Sequence, residues 1–232
     1  MAQPPKTPAS PPTVLPEGLL VNHSLFERDA YANPQGGEPG KPKYKVEIAF
    51  DPAQVTGEGT IEDKMADAIA AKWGENAAND FLEGKAGFVD PRLDGGELAR
   101  RRAERGKEGD AYSGKMVIRA DTTFNRDGVE GPGGTHVYGP DTAPIEAARQ
   151  QEVYQGCFGC AAVTIHAYET DGKNERGLTI KLKALKFYLA AFQKTRDGER
   201  LVQAQDRSTL FKPVAGAASG GLPAPVRRRR PA

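Results

Sequence analysis

Hydrophobic and polar residues alternate most regularly in the segment 154–201. Across 161–168 every second residue is small or apolar, and the residues between them are more polar. Successive side chains of a β-strand point to opposite faces, so this pattern predicts a strand with one apolar face. A polar turn follows across 171–177, and the alternation resumes across 178–183. The segment therefore predicts a β-hairpin with a long loop.

Each strand of this predicted hairpin has a face opposite its apolar positions. On the first strand that face carries His166 and Tyr168. On the second strand Lys181 and Lys183 alternate with the apolar residues of 178–182. We therefore expect the apolar residues of both strands to face a core, with the two lysines beside His166 and Tyr168 on the outside.

Three other segments have the same two-residue period. A first strand is predicted within 18–31, a second across 43–50 and a third across 112–120. In the second, Lys43 and Lys45 alternate with apolar residues, and in the third Lys115 and Arg119 lie opposite Met116 and Ile118. Glycine- and proline-rich stretches separate these strands and predict long loops.

One helix is clearly predicted between the strands. Thr60 is placed as an N-cap residue, and Asp63 stands where a capping box usually has Glu. Apolar residues then recur at every fourth position as far as Trp73, which predicts one buried helix face. Strands and helices do not alternate regularly, which argues against a parallel βαβ sheet. The pattern favours a mainly β fold, namely a five-stranded OB-fold-like Greek-key barrel with an inserted α-helix and long loops.

The two ends of the chain differ from the middle in composition. Proline recurs through residues 1–17, and residues 212–232 are rich in Gly, Ala and Pro before four arginines at 227–230. Both ends are predicted to be disordered, leaving one domain across 18–211. The sequence shows no signal peptide and no apolar run of about 20 residues that could span a bilayer. A cytoplasmic protein is therefore expected.

The net charge of +1 conceals an uneven distribution. Between 171 and 200, eight Lys and Arg residues oppose four Asp and Glu residues. A local positive surface on a nearly neutral protein is compatible with a bound polyanion, and equally with an ordinary solvated strand face.

Cys157 and Cys160 form a CxxC motif that could indicate redox or zinc chemistry. A thioredoxin-like CxxC opens a helix, whereas this one opens a predicted strand. Three-residue spacing in a strand places the two sulfur atoms on opposite faces, and no second CxxC completes a zinc site. Two small thiols packed in a strand are the simpler interpretation. The sequence also has no GxSxG, HExxH or phosphate-loop motif, so we expect neither an enzyme nor a cofactor.

Cations recur opposite the apolar face of three predicted strands, and aromatic residues lie near them. A groove that combines cations with stacking rings suits single-stranded nucleic acid, because the cations follow the phosphates and the rings stack on bases. The predicted DNA-binding residues are Lys43, Lys45, Lys115, Arg119, Phe158, His166, Tyr168, Lys181, Lys183 and Tyr188. The alternative for each residue is that the lysines only solubilise the protein and rings such as Phe158 fill its core.

Several short motifs together resemble a known family. A Tyr-Gln-Gly-Cys-Phe segment at 154–158, a strand ending in Ala167-Tyr168, Gly177-Leu178 and an Arg-Asp-Gly-Glu-Arg-Leu segment at 196–201 occur in the order found in a phage-encoded family of single-stranded DNA-binding proteins with an OB-fold. The resemblance covers roughly 18–211. It implies sequence-independent protection of single-stranded DNA in phage replication, recombination or repair, within an infected bacterial cell.

The resemblance also implies phage or host replication and recombination proteins as partners, and it leaves open whether the protein is a monomer or a dimer. Many proteins of this function end in an acidic tail that recruits such partners, whereas this chain ends with four arginines at 227–230. Two alternatives remain open: a redox or zinc protein built on the CxxC motif, and a structural interaction module that uses its tails.

Overall fold

The computed structural model describes residues 11–30, 40–106, 109–173 and 177–201, and within them β-strands predominate. The strands are β1 (Thr13–Val14), β2 (Gly18–Asp29), β3 (Lys43–Phe50), β4 (Phe88–Val89), β5 (Arg92–Asp94), β6 (Met116–Thr122), β7 (His136–Tyr138), β8 (Phe158–Lys173) and β9 (Thr179–Arg196). The α-helices are α1 (Ile61–Trp73), α2 (Glu75–Leu82) and α3 (Gly95–Ala103). Short 3₁₀ turns occur at Pro52–Gln54, Asp110–Tyr112 and Ala147–Glu152.

Five of these strands pair in a closed ring. The order around the ring is β2, β3, β6, β9 and β8, and β8 pairs with β2 to complete it. Every pairing in the ring is antiparallel except that of β6 with β9, which is parallel. The mainly β fold predicted from the sequence, with five principal strands and an inserted α-helix, is thereby confirmed, and the structure adds α2 and α3.

The β8–β9 hairpin is the longest paired element in the described part of the chain. Its register runs from Phe158 opposite Arg196 to Lys173 opposite Thr179. The sequence predicted both strands of the hairpin. The second strand was predicted to end near Lys183, whereas β9 continues to Arg196. The added half of β9 supplies core residues, including the fully buried Phe187 and Phe192.

Helix α1 begins and ends where the sequence predicted. The Thr60 hydroxyl accepts a hydrogen bond from the Glu62 backbone amide, and Gly74 ends the helix with a positive φ of 87°. The buried face packs into the core, while Trp73 is partly buried at its edge. Lys72 donates a hydrogen bond of 2.6 Å to the Ala167 carbonyl, which ties α1 to β8. No helix in the described ranges is long and apolar enough to cross a membrane.

The inward face of the ring forms the main core. Alternate residues of each ring strand point inward, as Val46, Ile48 and Ile118 do, and α1 adds Met65 and Ile69. A smaller apolar cluster lies outside β2, β3 and β6, where Val21, Ala49 and Val117 are buried together with Tyr112. Residues of α3 pack against this second cluster, so part of the outer surface of the ring is covered.

The fold starts earlier in the chain than the sequence predicted. Thr13 and Val14 pair with β8, and Leu15 is buried. Glu17 accepts hydrogen bonds from the Thr195 hydroxyl at 2.5 Å and from the Arg196 guanidinium at 2.9 Å. The prediction that the chain is disordered through residue 17 is therefore wrong for residues 11–17. Residues 1–10 and the predicted tail at 212–232 lie outside the described residues.

Two of the motifs recognised in the sequence form one structural clasp. The Tyr154 hydroxyl donates to an Asp197 carboxylate oxygen at 2.9 Å and accepts from the Gly198 amide at 3.2 Å. Gly156 has a φ of 109°, and a Cβ there would lie 1.8 Å from the Glu199 carbonyl oxygen. The clasp fastens the segment before β8 to the segment after β9, which explains why glycine occupies position 156.

Candidate nucleic-acid interface

The register of the ring places one set of polar side chains on a continuous outer surface. Residues opposite each other in paired strands carry their side chains on the same face. Lys45 of β3 is opposite Asp121 of β6, Asp121 is aligned with Tyr188 of β9, and Tyr188 is opposite Thr164 of β8. We call this surface the four-strand face. It comprises Lys43, Lys45, Glu47, Arg119, Asp121, Thr164, His166, Tyr168, Lys186 and Tyr188.

Three rings of the four-strand face form a cluster across β8 and β9. The ring centroid of His166 lies 6.2 Å from that of Tyr168 and 5.9 Å from that of Tyr188. Tyr188 is 41% exposed, and the Lys186 ammonium lies 4.8 Å from its ring centroid. Exposed rings next to a cation provide a surface on which unpaired bases can stack.

The cations of the four-strand face are held by carboxylates. Asp121 lies 2.8 Å from the Lys186 ammonium and 3.4 Å from the Lys43 ammonium. Lys45 pairs with Asp29 at 2.6 Å, and Arg119 pairs with Glu47 at 2.7 Å. Four cations thus oppose three carboxylates, so a polyanion at this surface competes with internal partners. The lysine pairs lie at the surface and contribute only about 0–1 kcal/mol each, so a phosphate can replace the carboxylate. Glu47 is buried and keeps Arg119 as its partner.

The pKa shifts on this face fix the charge states of two groups. Burial lowers the pKa of His166, and the positive charges of Lys72 and Lys186 lower it further. His166 is therefore neutral at neutral pH and acts as a ring, not as a cation. Burial also lowers the pKa of Lys186, but the hydrogen bond and charge of Asp121 outweigh this and leave the pKa above its usual value. Lys186 therefore keeps its charge.

Four of the residues predicted to bind DNA lie away from the four-strand face. The β8–β9 register places Lys181 opposite Asp171 and Lys183 opposite Glu169, on the face opposite His166 and Tyr168. The prediction that the two lysines lie beside those rings is wrong. Lys183 instead lies over Trp73 and Phe88, at 5.9 and 5.3 Å from the ring centroids, and Lys181 pairs with Asp171 at 2.6 Å.

Lys115 and Phe158 lie at other positions on the ring. Lys115 precedes β6 at the opposite end from Asp121 and pairs with Asp51 at 2.7 Å. Phe158 begins β8, and the Arg196 guanidinium carbon lies 3.4 Å from its ring centroid. The structure therefore brings six of the predicted residues onto one surface: Lys43, Lys45, Arg119, His166, Tyr168 and Tyr188.

Sequence reasoning missed Lys186, which lies at the centre of the four-strand face. The second hairpin strand was predicted to end near Lys183, so the alternation of Lys186 and Tyr188 with Leu185, Phe187 and Leu189 was not used. That alternation is the signal that could have identified it, because it continues the two-residue period through Leu189.

The two cysteines show no arrangement for redox or metal chemistry. Both are free, with Cys157 buried and Cys160 partly buried. Burial raises the pKa of each thiol, which disfavours the reactive thiolate. Within the described ranges, no three His, Cys, Asp or Glu residues are grouped closely enough to hold a metal ion.

Solved structures of phage proteins share similarity with this chain. The single-stranded DNA-binding protein from bacteriophage Enc34 in complex with ssDNA is 18% identical, with a TM-score of 0.47, covering 81% of this chain and 87% of that one. Another structure of the same protein is 15% identical, with a TM-score of 0.48, covering 86% and 89%. The gp2.5 single-stranded DNA-binding protein encoded by bacteriophage T7 is 14% identical, with a TM-score of 0.40, covering 90% and 98%.

A protein-family profile gives the most direct comparison. No curated protein sequence matches the chain. The profile described as Enterobacter phage Enc34, ssDNA-binding protein, matches residues 23–218. This match spans most of the chain, including β3, β6, β8 and β9, which build the four-strand face. The chain therefore belongs to the family of the Enterobacter phage Enc34 ssDNA-binding protein.

Proposed function

We propose that this protein binds single-stranded DNA without sequence preference and protects it during phage replication, recombination or repair. Its role is stoichiometric and non-enzymatic, and its place is the cytoplasm of an infected bacterial cell. Phage or host replication and recombination proteins are its further partners. Membership of the Enc34 ssDNA-binding family supports the proposal, and the four-strand face provides the chemistry.

The observation that carries the proposal is the combination of cations and aromatic side chains on the four-strand face. Lys43, Lys45 and Lys186 can each exchange a carboxylate for a phosphate. Arg119 can contact a phosphate with the N–H groups that do not face the buried Glu47. The rings of His166, Tyr168 and Tyr188 form one cluster, with the Lys186 ammonium 4.8 Å from the Tyr188 centroid, and they can stack on bases. Neither contact depends on which base is present, so binding is expected to tolerate any sequence.

The proposed interface consists of Lys43, Lys45, Arg119, His166, Tyr168, Lys186 and Tyr188. Lys115, Phe158, Lys181 and Lys183 fall outside it, because they lie at other ends or faces of the ring and hairpin. In OB-folds the second and third strands of the barrel form the usual binding face. In this chain the second and third ring strands are β3 and β6, which contribute three of the four cations.

A titration with labelled oligo-dT across a salt series tests the proposal. Binding should weaken linearly on a log–log plot of affinity against salt, because bound phosphates release counterions. Four phosphate contacts predict a slope of about −3 for a single strand. A duplex of the same length, measured in parallel, should bind more weakly. Absence of oligo-dT binding at low salt, or an affinity that does not change with salt, would refute the proposal.

A further inference from the structure

Phe124 is an exposed aromatic residue that the proposed interface does not use. It lies just after β6 and is 54% exposed, more than any other phenylalanine in the described ranges. Val129, in the same loop, is 60% exposed. Single exposed apolar residues are common on protein surfaces, so exposure alone does not indicate a function. The hydrogen bonds within the loop and its position beside β6 distinguish Phe124 from such a residue.

The loop that carries Phe124 is held in one conformation by its own hydrogen bonds. The Asn125 side-chain oxygen accepts from the amides of Asp127 and Val129, and its side-chain nitrogen donates to the Pro132 carbonyl. The Asn125 amide donates to the Val129 carbonyl at 2.9 Å, and Phe124 pairs with Glu130 as an antiparallel bridge. Phe124 is therefore presented by a fixed miniature hairpin.

The core also anchors this loop. Tyr44 is fully buried in β3, and its hydroxyl donates to the Gly131 carbonyl at 2.8 Å and accepts from the Gly134 amide at 3.1 Å. A ring held in advance loses little conformational freedom when a ligand packs on it, which favours binding.

Phe124 lies just beyond the end of β6, one of the strands that build the four-strand face. It follows Asp121 by three residues, so its Cα is within about 11 Å of that residue's Cα. Its bridge partner Glu130 contacts the Lys41 ammonium at 2.5 Å, and Lys41 leads directly into Lys43 of β3. An ammonium group thus lies beside the bridge partner of Phe124.

We infer that Phe124 is a base-stacking residue at one end of the single-stranded DNA path, and this inference rests on the proposed function. The ring takes one unpaired base on its exposed face, while Lys41 and Lys43 are near enough to contact the adjoining phosphates. DNA that crosses the rings of β8 and β9 continues across Asp121 and over β6 to Phe124. The 123–134 loop thereby lengthens the interface beyond the sheet.

The test compares three substitutions of Phe124 by titration with oligo-dT. One stacked base contributes about 1–3 kcal/mol, so Phe124→Ala should weaken binding roughly 5- to 140-fold. Phe124→Trp should retain wild-type affinity, because it keeps a flat ring. Phe124→Leu should lose most of the affinity, because it keeps apolar volume without a ring face. The matched control is Val129→Ala, which removes an equally exposed apolar side chain from the same loop and should leave affinity unchanged.

A second probe separates stacking from contact with phosphates. The probe is an abasic phosphodiester strand of the same length as the oligo-dT. Wild-type protein and the Phe124→Ala variant should bind it equally, and the salt slope with oligo-dT should be the same for both proteins. Thermal melting should be unchanged in all variants, because the side chain is exposed.

Each result distinguishes this inference from the proposed function. If wild-type protein binds oligo-dT and Phe124→Ala binds equally well, the inference is refuted and the proposed function stands. If Phe124→Leu retains wild-type affinity, or Val129→Ala weakens binding as much as Phe124→Ala does, the loop acts through apolar contact or loop shape and the stacking role is refuted. If wild-type protein does not bind oligo-dT, both ideas fail.

Discussion

Asp121 provides the sharpest test of the proposed interface, because its removal should tighten binding. Its carboxylate lies 2.8 Å from Lys186 and 3.4 Å from Lys43, and its side chain is only 18% exposed. It therefore occupies the position that a DNA phosphate would take between two lysines. Asp121→Asn keeps the shape of the side chain and removes the competing charge.

The expected gain follows from the strength of the two ion pairs. The lysine side chains are 28% and 37% exposed, so each pair contributes about 0.2–1 kcal/mol after solvent screening. DNA no longer has to displace these pairs in the variant, so affinity should rise by about 2- to 25-fold. The salt slope should stay at about −3, because the same four cations contact phosphates in both proteins.

The same change should lower the free energy of unfolding by up to about 2 kcal/mol, since both lysines lose their partner. Tighter binding with lower stability is a combination that general damage to the fold cannot produce. The assay is fluorescence anisotropy with labelled oligo-dT across a salt series, with urea unfolding measured in parallel.

Asp51→Asn is the matched control for this experiment. It makes the same change in net charge, but Asp51 pairs with Lys115 at the other end of β6. A general electrostatic effect would raise affinity equally in both variants. If Asp121→Asn binds no more tightly than Asp51→Asn, the four-strand face is not the DNA-binding surface.

Three other predictions follow from the structure. Lys186→Ala should weaken oligo-dT binding and reduce the magnitude of the salt slope by about 0.7. Lys181→Ala, on the other face of the hairpin, should change neither the affinity nor the slope. Equal losses in the two variants would contradict the assignment of faces. Gly156→Ala should lower the free energy of unfolding by about 2 kcal/mol or more in urea titrations, because its Cβ would meet the Glu199 carbonyl oxygen at 1.8 Å. Burial lowers the pKa of His23 and outweighs a hydrogen bond to the Val153 backbone that raises it, so the unfolded chain takes up the proton first. The protein should therefore keep its stability above a pH of about 6.5 and lose stability below it. In melting curves, His23→Gln should remove more of this loss than His166→Gln, because His166 is the more exposed of the two.

Local patterns in the sequence predicted several elements well. The Thr60 cap and the four-residue apolar spacing identified α1 at both ends, because capping and burial of one helix face depend on neighbouring residues. The alternation across 43–50 likewise identified β3 with its lysines outside and its apolar residues inside. These features need no information about distant parts of the chain.

The faces of the hairpin could not be settled in the same way. Ile180 and Leu182 alternate as core residues do, yet in the structure they lie opposite Gly172 and Thr170, on the side of Tyr168. Ile180 is 37% exposed, because this part of the hairpin extends beyond the main core. A shift of one residue in register exchanges the two faces of a strand, and the number of residues in the loop sets that register. The contacts of the loop at 123–134 with Tyr44 also join distant segments, so no local pattern in the sequence predicted the exposed position of Phe124.

The clasp and the ring also determine when this protein can fold during its synthesis. Thr195 and Arg196 contact Glu17 across separations of 178 and 179 residues, and Tyr154 contacts Gly198 across 44. Ring closure joins β2 to β8 and β8 to β9, so it must wait until the ribosome has released Arg196. Until then the apolar faces of β2, β3 and β6 lack the strands that complete their core. A nascent chain stopped before β9 would therefore remain open, with those faces available for association with other chains.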